Sequence, residues 1–476
     1  MLNVNTHIHQ SIILRLFILY VVSLIVGAIF ILEIQTFYWY SFLILISSVF
    51  VIGFNYYIIR RESASIFLLI LFFFTLLYGV TLIYLSSATL INHFGKPFFA
   101  LDDENYHYQQ VEIFNKLKIH KGELSPRTLD SGFYSGYPNI GGITMYIFGS
   151  NSYNIPRFLT LFLHAIGIFP FYRTIRSYAS ETSSKFSVIL YAVSPMLFIN
   201  SIFQLKDTII IFIVLICISL MNNILKKKRK LKPILMISLC LSLLISIRAM
   251  IILMFLLSII IFALVSKSER NKLLLRAPIM VFIIALVTIV FWKYLSNFNL
   301  FLTPDDYFRL RLEMLGESDN LMGTKSNISS THFAAIVSAP LYVVLSPFLP
   351  IPDSILFENP LYPSTNAYFA SNLYYYAILP LVFLGAYYIF KNRKTFPLPL
   401  FILTLFIVYK IGSALSGMTA FSYRQSLPTI LCALMIVPIG IDHMNTISAK
   451  RIMKVVFLIS IVTMCAWSIF RLYIRQ

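Results

Sequence analysis

Long apolar runs dominate this sequence and recur along its whole length. Many of them have roughly 18 or more residues, which is the length that an α-helix needs to cross the hydrocarbon core of a bilayer. In keeping with these runs, 58% of the 476 residues are hydrophobic, only 12% are charged, and the mean hydropathy is +0.81. The sequence therefore predicts an all-α, polytopic membrane protein.

The charge balance fits the same class. The net charge is +19, from 38 Lys and Arg against 19 Asp and Glu, but the basic residues form short clusters between apolar runs. Such clusters are typical of cytoplasmic loops that follow the positive-inside rule, so no nucleic-acid partner is expected. The first run begins near Ser11, contains Arg15 and lacks a small-residue cleavage site, which indicates a retained helix. The four cysteines lie within apolar runs and indicate neither disulfides nor a zinc site.

The apolar runs predict about thirteen crossings. We place them near 11–32, 38–59, 65–91, 155–172, 186–203, 207–225, 233–248, 249–266, 277–298, 373–390, 396–412, 425–441 and 454–471. The basic clusters fall on alternate connections and are assigned to the cytoplasm. The N-terminus is then cytoplasmic and the C-terminus is outside, in a multi-pass protein of the cell (plasma or inner) membrane.

This topology divides the chain into five parts. They are three N-terminal transmembrane helices (1–91), a first extracytoplasmic loop (92–154), further transmembrane helices (155–298), a second extracytoplasmic loop with a re-entrant segment (299–352), and C-terminal transmembrane helices (353–476). The stretch 333–352 is long enough to cross but is interrupted by four prolines. We expect a re-entrant or broken pair of half-helices there. The short apolar stretch 139–150 is expected along the outer interface.

Isolated charged residues collect at the predicted outer ends of the spans, where ionisable groups usually point at a cavity or a partner. Three consecutive carboxylates follow the third span, Lys206 and Asp207 open another, and Arg248 lies where two antiparallel spans should turn. The candidate site residues are Asp102, Asp103, Glu104, Tyr106, His107, Tyr137, Lys206, Asp207, Arg248, Arg309, Arg311, His332, Tyr423 and Arg424. Among them, Asp103, Tyr106 and His107 share one face of a predicted helix with Gln110.

Structural roles also account for some of these charges. One of the three carboxylates favours a helix start, and Lys206 with Asp207 is compatible with a local ion pair or with snorkelling to the interface. Asp305 and Asp306, which follow a proline, also favour a helix start. Arg248 has no sequence neighbour of opposite sign, so structural pairing explains it less readily. The histidines have no metal-ligand spacing.

Carboxylates and cations at the membrane surface are the groups that are needed to transfer a sugar from a lipid-linked phosphate donor. A sugar on a polyprenyl phosphate presents its anomeric carbon at the membrane surface, where an acceptor hydroxyl needs a carboxylate as general base. The leaving phosphate needs Arg or Lys to stabilise its developing charge. Carboxylates just outside the bilayer, with cations at neighbouring span ends, meet both needs.

Several segments, taken in order, resemble the GT-C superfamily of integral membrane glycosyltransferases. They are the acidic pair after a span, SGYPNIGGITMYIFG from Ser135, NIPRFLTLFLH, SPMLFINSIFQLKDTIIIF, LYVVLSPFLPIP and SYRQSLPTI. The superfamily includes protein mannosyltransferases and aminoarabinose transferases, which use lipid-phosphate sugar donors. The acidic loop of the superfamily usually follows the first span. The chain differs from this pattern because two additional spans come first, and no large C-terminal soluble domain is evident.

The resemblance implies a role for each group of residues. Asp103, or Asp102, takes the acidic catalytic role beside Glu104, while Lys206, Arg248 and Arg424 are candidates for the donor phosphate. The other candidate residues are expected to contact substrate. The implied partners are a polyprenyl-phosphate-linked sugar, membrane lipids, and a glycan, lipid or protein acceptor.

Two other functions fit a polytopic, basic chain. A polymerase that joins lipid-linked oligosaccharide repeat units is expected to depend more on external arginines than on one carboxylate. A flippase or transporter usually has repeated halves and binding residues near the bilayer midplane, which this sequence lacks. The sequence identifies no cofactor with certainty, and the three clustered carboxylates are compatible with Mg²⁺ or Mn²⁺.

Overall fold

The computed structural model describes residues 64–98, 101–125, 127–130, 135–226, 231–266, 369–416, 427–459 and 462. Within these ranges the chain is helical and contains no strand, as the apolar runs predict. The helices are α1 Ala64–Phe94, α2 Leu101–Ile119, α3 Gly136–Phe148, α4 Asn154–Ile166, α5 Ile168–Ile175, α6 Glu181–Val193, α7 Pro195–Ile202, α8 Asp207–Leu225, α9 Leu231–Val265, α10 Phe369–Lys391, α11 Pro397–Ser416 and α12 Leu427–His443.

Four segments in the described ranges are long and apolar enough to cross a membrane: Ala64–Tyr84, Asn154–Ile175, Asp207–Leu225 and Leu231–Arg248. Helices α6 and α7 form a fifth if the pair, bent by 45°, counts as one span. These helices make the chain a multi-pass membrane protein. The count of thirteen crossings is not confirmed, because several predicted spans lie outside the described residues, including 11–32, 38–59 and 277–298. The second outer loop and the re-entrant segment lie there too, and the division into five parts stays a prediction.

Local sequence explains where several helices begin or end. Pro195 begins α7, where its missing N–H is not needed for a helical hydrogen bond. Ser180 caps α6 by accepting a hydrogen bond from the backbone N–H of Ser183. Helix α3 ends at Gly149, whose φ of 68° is the left-handed conformation that closes a helix by bonding back to the last carbonyls. Because α6 ends at Val193 and α7 begins at Pro195, the predicted span 186–203 is a bent pair of helices rather than one straight helix.

Three of the predicted cytoplasmic clusters lie in the described residues at one end of the bundle. Asp442, at the end of α12, accepts hydrogen bonds from the hydroxyls of Ser180 and Ser183 at the start of α6. Near the end of α10, the Tyr388 hydroxyl lies 3.1 Å from the Thr446 hydroxyl. These contacts bring the basic stretches near 173–185, 391–394 and 449–454 to the same end.

The opposite end is formed by the end of α1, the start of α8 and the middle of α9. Helix α9 is broken at Arg248, whose φ and ψ are −164° and 91°, so its two halves meet at this end, at the residue where the sequence predicts a turn. Helices α2 and α3 form a hairpin against the same end. They pack closely because Gly141 and Gly142 leave room for Gln110 and Ile113 of α2.

Candidate functional site

Helix α2 opens with the three carboxylates. Asp102, Asp103 and Glu104 occupy its first turn, and Lys116 and Lys118 lie in its last turn. Acidic residues at a helix start and basic residues at its end both stabilise the helix dipole, so part of this pattern is structural. The three side chains nevertheless have different surroundings.

Glu104 pairs locally. Its carboxylate lies 2.7 Å from Lys96 Nζ, and it accepts a hydrogen bond of 3.3 Å from the Tyr108 hydroxyl. Both partners are partly or largely exposed, so this contact contributes little to stability. Its geometric effect is to connect the start of α2 to the segment that follows α1.

Asp103 points into the protein. Its Oδ2 lies 3.1 Å from Arg157 Nη2, and both side chains are 0% exposed. Its Oδ1 accepts a hydrogen bond of 3.0 Å from the backbone N–H of Gln204. The helix face predicted to be polar is therefore present, but Asp103 and Gln110 on that face are buried rather than open to water.

Arg157, near the start of α4, holds several segments together. Its Nη1 donates to Ser87 Oγ at 2.8 Å, and its Nη2 donates to the carbonyl of Pro97 at 2.6 Å as well as to Asp103. The guanidinium lies 5.0 Å from the ring centre of Tyr153 and 5.4 Å from that of Phe203. Rings at these distances stabilise a buried cation further.

The segment 203–206, between α7 and α8, lies beside this pair. The Gln204 side-chain amide donates to the Tyr153 carbonyl at 2.7 Å and lies 3.5 Å from His107 Nδ1. Two residues later, Lys206 Nζ lies 5.5 Å from the ring centre of Tyr106. A cation is thereby held over the second turn of the acidic helix.

Asp207 and Arg248 form a second buried pair. Asp207 Oδ1 accepts a hydrogen bond of 3.0 Å from Arg248 Nη1, with side-chain exposures of 3% and 19%. Asp207 lies at the start of α8, and Arg248 lies at the break in α9. The pair explains how an isolated arginine is accommodated in an apolar stretch, and part of the guanidinium surface stays accessible.

Helix α3 completes the cluster. The rings of Tyr106 and Tyr137 meet edge to face, with centres 5.0 Å apart. A Cβ atom on Gly136 would collide with Ser246, just before the break in α9. Burial, followed by the nearby charge of Asp103, raises the pKa of Tyr137 well above its usual value, so this hydroxyl stays protonated at neutral pH.

His107 is neutral at physiological pH. Burial, and then the positive charge of Arg157, lowers its pKa from 6.5 to about 4. The ring is half-buried and lies 5.4 Å from Phe98 and 6.3 Å from Tyr153, measured between ring centres. A neutral imidazole in this position is able to hydrogen-bond a polar substrate without adding charge.

The acidic residues do not form a metal site in the part of the chain that is described. Asp103 faces Arg157 and Glu104 faces Lys96, so these two carboxylates pair with different cations. No group of three or more His, Cys, Asp or Glu side chains in the described ranges is arranged to hold a metal ion. The possible Mg²⁺ or Mn²⁺ stays a prediction.

Most of the predicted site residues that are described come together. Asp102, Asp103, Glu104, Tyr106, His107, Tyr137, Lys206, Asp207 and Arg248 all lie at one end of the bundle. Arg309, Arg311, His332, Tyr423 and Arg424 lie outside the described residues. The sequence analysis missed Arg157 and Gln204. Arg157 had a usable signal, because it is a lone arginine in the first turn of an apolar helix, as costly to bury as Arg248.

Residues 137–294 match the sequence profile of the family described as dolichyl-phosphate-mannose-protein mannosyltransferase. The match covers about a third of the chain and includes Arg157, Lys206, Asp207 and Arg248. It confirms the resemblance to the GT-C superfamily. No curated protein matches the sequence significantly.

A solved structure shows a weaker similarity. It is described as the archaeal oligosaccharyltransferase AglB from Archaeoglobus fulgidus in complex with an inhibitory peptide and a dolichol-phosphate. The sequence identity is 13%, the TM-score is 0.40, and the alignment covers 78% of this chain. The chain spans 50% of the length of that protein. This similarity is too low to assign any residue a role.

Proposed function

We propose that this chain is a membrane glycosyltransferase that transfers a sugar from a polyprenyl-phosphate donor to an acceptor on the extracytoplasmic face of the membrane. The observation that supports this most is the cluster at one end of the bundle. There, Lys206 lies over Tyr106 of the acidic helix α2, and the next residue, Asp207, pairs with Arg248. The family match over residues 137–294 supports the same class of donor.

The reaction needs one group to accept a proton and others to stabilise a leaving phosphate. A carboxylate removes the proton from an acceptor hydroxyl as the oxygen attacks the anomeric carbon of the sugar. The bond between that carbon and the phosphate oxygen breaks, and polyprenyl phosphate leaves with both electrons of the bond. The proton then passes from the carboxyl group to water. This single displacement inverts the configuration of the anomeric carbon.

We infer that Asp102 is the base rather than Asp103. Both oxygens of Asp103 accept hydrogen bonds inside the protein, and the side chain is 0% exposed. An acceptor hydroxyl therefore has no path to Asp103 in this conformation, and protonation of Asp103 would break its pair with Arg157. Asp102 is partly exposed at the same helix start, where an acceptor is able to reach its carboxylate.

Lys206 and Arg248 are the described residues best placed to bind the donor phosphate. Lys206 lies over Tyr106, two residues after the backbone group that contacts Asp103. Arg248 donates to Asp207 through one nitrogen and retains partial exposure, so a phosphate is able to reach it. A guanidinium and an ammonium together neutralise the charge that develops on the leaving group.

The acceptor belongs to one of three classes, a glycan, a lipid or a protein, and all three supply a nucleophilic oxygen or nitrogen. His107 is a candidate for contacting sugar or acceptor, because it is uncharged near neutral pH, is only partly buried and lies beside the acidic turn. Tyr137 is buried and packs against Tyr106, so it supports the site without reaching the substrate. The site is assigned to the extracytoplasmic face because the basic clusters lie at the opposite end of the bundle.

Transfer by the purified protein tests this proposal. The full chain is reconstituted in liposomes with polyprenyl-phosphate mannose or glucose that carries a radiolabelled sugar, and cell-envelope extract supplies acceptors. We expect release of polyprenyl phosphate and movement of label to a product that no longer carries the lipid. Consumption only of oligosaccharides on polyprenyl diphosphate would instead indicate the polymerase. Movement of intact lipid-linked sugar across the bilayer, without cleavage, would indicate a transporter.

A further inference from the structure

The buried pair of Asp103 and Arg157 connects the acidic side of the candidate site to its cationic side. Arg157 donates to Ser87 at the end of α1, to the carbonyl of Pro97 and to Asp103. The other carboxylate oxygen of Asp103 accepts the backbone N–H of Gln204. One ion pair thus ties together four segments that are distant in sequence.

The residues next to this pair are those that we assign to the reaction. Asp102 directly precedes Asp103 in the first turn of α2, and Lys206 follows Gln204 by two residues. Because the backbone connects each neighbour rigidly to the pair, a displacement of Asp103 moves Asp102 and the segment of Lys206 together. The distance between the base, Asp102, and the phosphate-binding cation, Lys206, therefore depends on the pair of Asp103 and Arg157, which contacts neither the donor nor the acceptor.

We propose that Arg157 is a positioning residue, which sets the location of Asp102 relative to Lys206 in the reaction proposed above, on which this inference depends. Arg157 is 0% exposed, so it acts through Asp103 and the segment 203–206 rather than on the substrate. Geometry of this kind is important for rate, because a misplacement of about 1 Å can lower turnover about 100-fold.

The contacts of Arg157 require a guanidinium specifically. Its two terminal nitrogens donate to Ser87, Pro97 and Asp103 in three directions at distances of 2.6 to 3.1 Å. A lysine keeps the positive charge but is a compact point charge on a flexible stem, which does not reproduce this planar arrangement. Replacement by lysine therefore separates the effect of charge from the effect of position.

The test compares Arg157→Lys and Arg157→Met in the full chain, with Asp442→Asn as a matched control. Asp442 joins α12 to α6 at the opposite end of the bundle, so its loss weakens the fold without touching the site. Each variant is measured for its thermal unfolding midpoint, for turnover with polyprenyl-phosphate mannose below that midpoint, and for the KM of that donor.

We expect Arg157→Lys to unfold within a few degrees of the unchanged chain but to turn over at least about 10-fold more slowly. Arg157→Met should lose both stability and turnover, and Asp442→Asn should lose stability alone. If turnover by Arg157→Lys equals that of the unchanged chain, or if turnover follows the unfolding midpoint across all three variants, Arg157 is only structural and the proposal fails.

A second measurement does not depend on enzymatic activity. In a chain whose four native cysteines are replaced by serine, Asp102→Cys is labelled with a polar maleimide, with and without Arg157→Lys. We expect the labelling rate to rise when Arg157 is replaced, because the first turn of α2 is no longer held. An unchanged rate overturns the positioning role. A chain that transfers no sugar from any donor, but shows the change in labelling, refutes the proposed function and leaves the role of Arg157 in holding α2 intact.

Discussion

Asp103 Oδ2 lies 3.1 Å from Arg157 Nη2, and neither side chain has any exposed surface. Removing one member of a buried ion pair leaves the other charge uncompensated and typically costs about 3–5 kcal/mol, whereas replacing both by apolar side chains is often neutral. We therefore expect Arg157→Met to lower the free energy of unfolding strongly, and Arg157→Met with Asp103→Leu to recover most of the loss.

Denaturant titration in mixed micelles measures this recovery. The single variant Asp103→Leu completes the cycle, because it leaves Arg157 buried without its carboxylate. A double variant that is as unstable as the sum of the two single variants would show that the two residues act independently, in conflict with the contact described above.

Orientation in the membrane is a second prediction. Ser150, after α3, and Lys394, after α10, are both exposed and lie at opposite ends of the bundle. In a chain without native cysteines, Ser150→Cys should react with a membrane-impermeant maleimide added to intact cells, and Lys394→Cys should react only after the membrane is opened. Labelling of both positions in intact cells would remove the assignment of the site to the outer face.

The fold class and the positions of most of the long apolar helices follow from the sequence, because apolar runs and basic clusters are local signals. The span predicted at 207–225 coincides with α8, and the turn predicted at Arg248 coincides with the break in α9. The bend between α6 and α7 was missed. Pro195 was its local signal, within a run that is otherwise continuously apolar.

The pairing of charges was harder to predict, because it depends on which helix ends meet. The sequence places Lys206 beside Asp207, yet Asp207 pairs with Arg248, 41 residues away. Likewise, Arg157 and Asp103 are 54 residues apart, and nothing local connects them. The sequence could therefore identify an acidic turn and several cations, but not which carboxylate is buried and which is accessible.

The pH dependence of stability provides a third prediction. The pKa of His107 is about 4 in the folded chain, below the value near 6.5 of an unperturbed histidine. Protonation then favours the unfolded state, so this contribution to stability is complete above pH 6.5 and is lost as the pH falls towards 4. We expect His107→Gln to flatten the decline of the unfolding midpoint between pH 6.5 and pH 4. The same substitution at the exposed His120, His120→Gln, provides the matched control.

Donor binding is the fourth prediction. If Arg248 contacts the donor phosphate, Arg248→Ala should weaken the binding of polyprenyl phosphate by about 10- to 100-fold, the loss expected for a hydrogen bond between charged groups. Asp207→Asn should retain binding, because it leaves the guanidinium in place. Equilibrium binding to the reconstituted chain measures both. Equal affinity of Arg248→Ala and the unchanged chain would remove this residue from the phosphate site.

The central claim is that Asp102 removes the proton from the acceptor, and sugar transfer by Asp102→Asn tests it most directly. Asparagine keeps the size and the helix-capping ability of aspartate but is not basic. Turnover with polyprenyl-phosphate mannose should therefore fall by about 10² to 10⁴, while the affinity for polyprenyl phosphate and the unfolding midpoint stay close to those of the unchanged chain. Near-normal transfer by Asp102→Asn would contradict the claim. If Asp103→Asn alone then abolished turnover at an unchanged unfolding midpoint, the base would be Asp103.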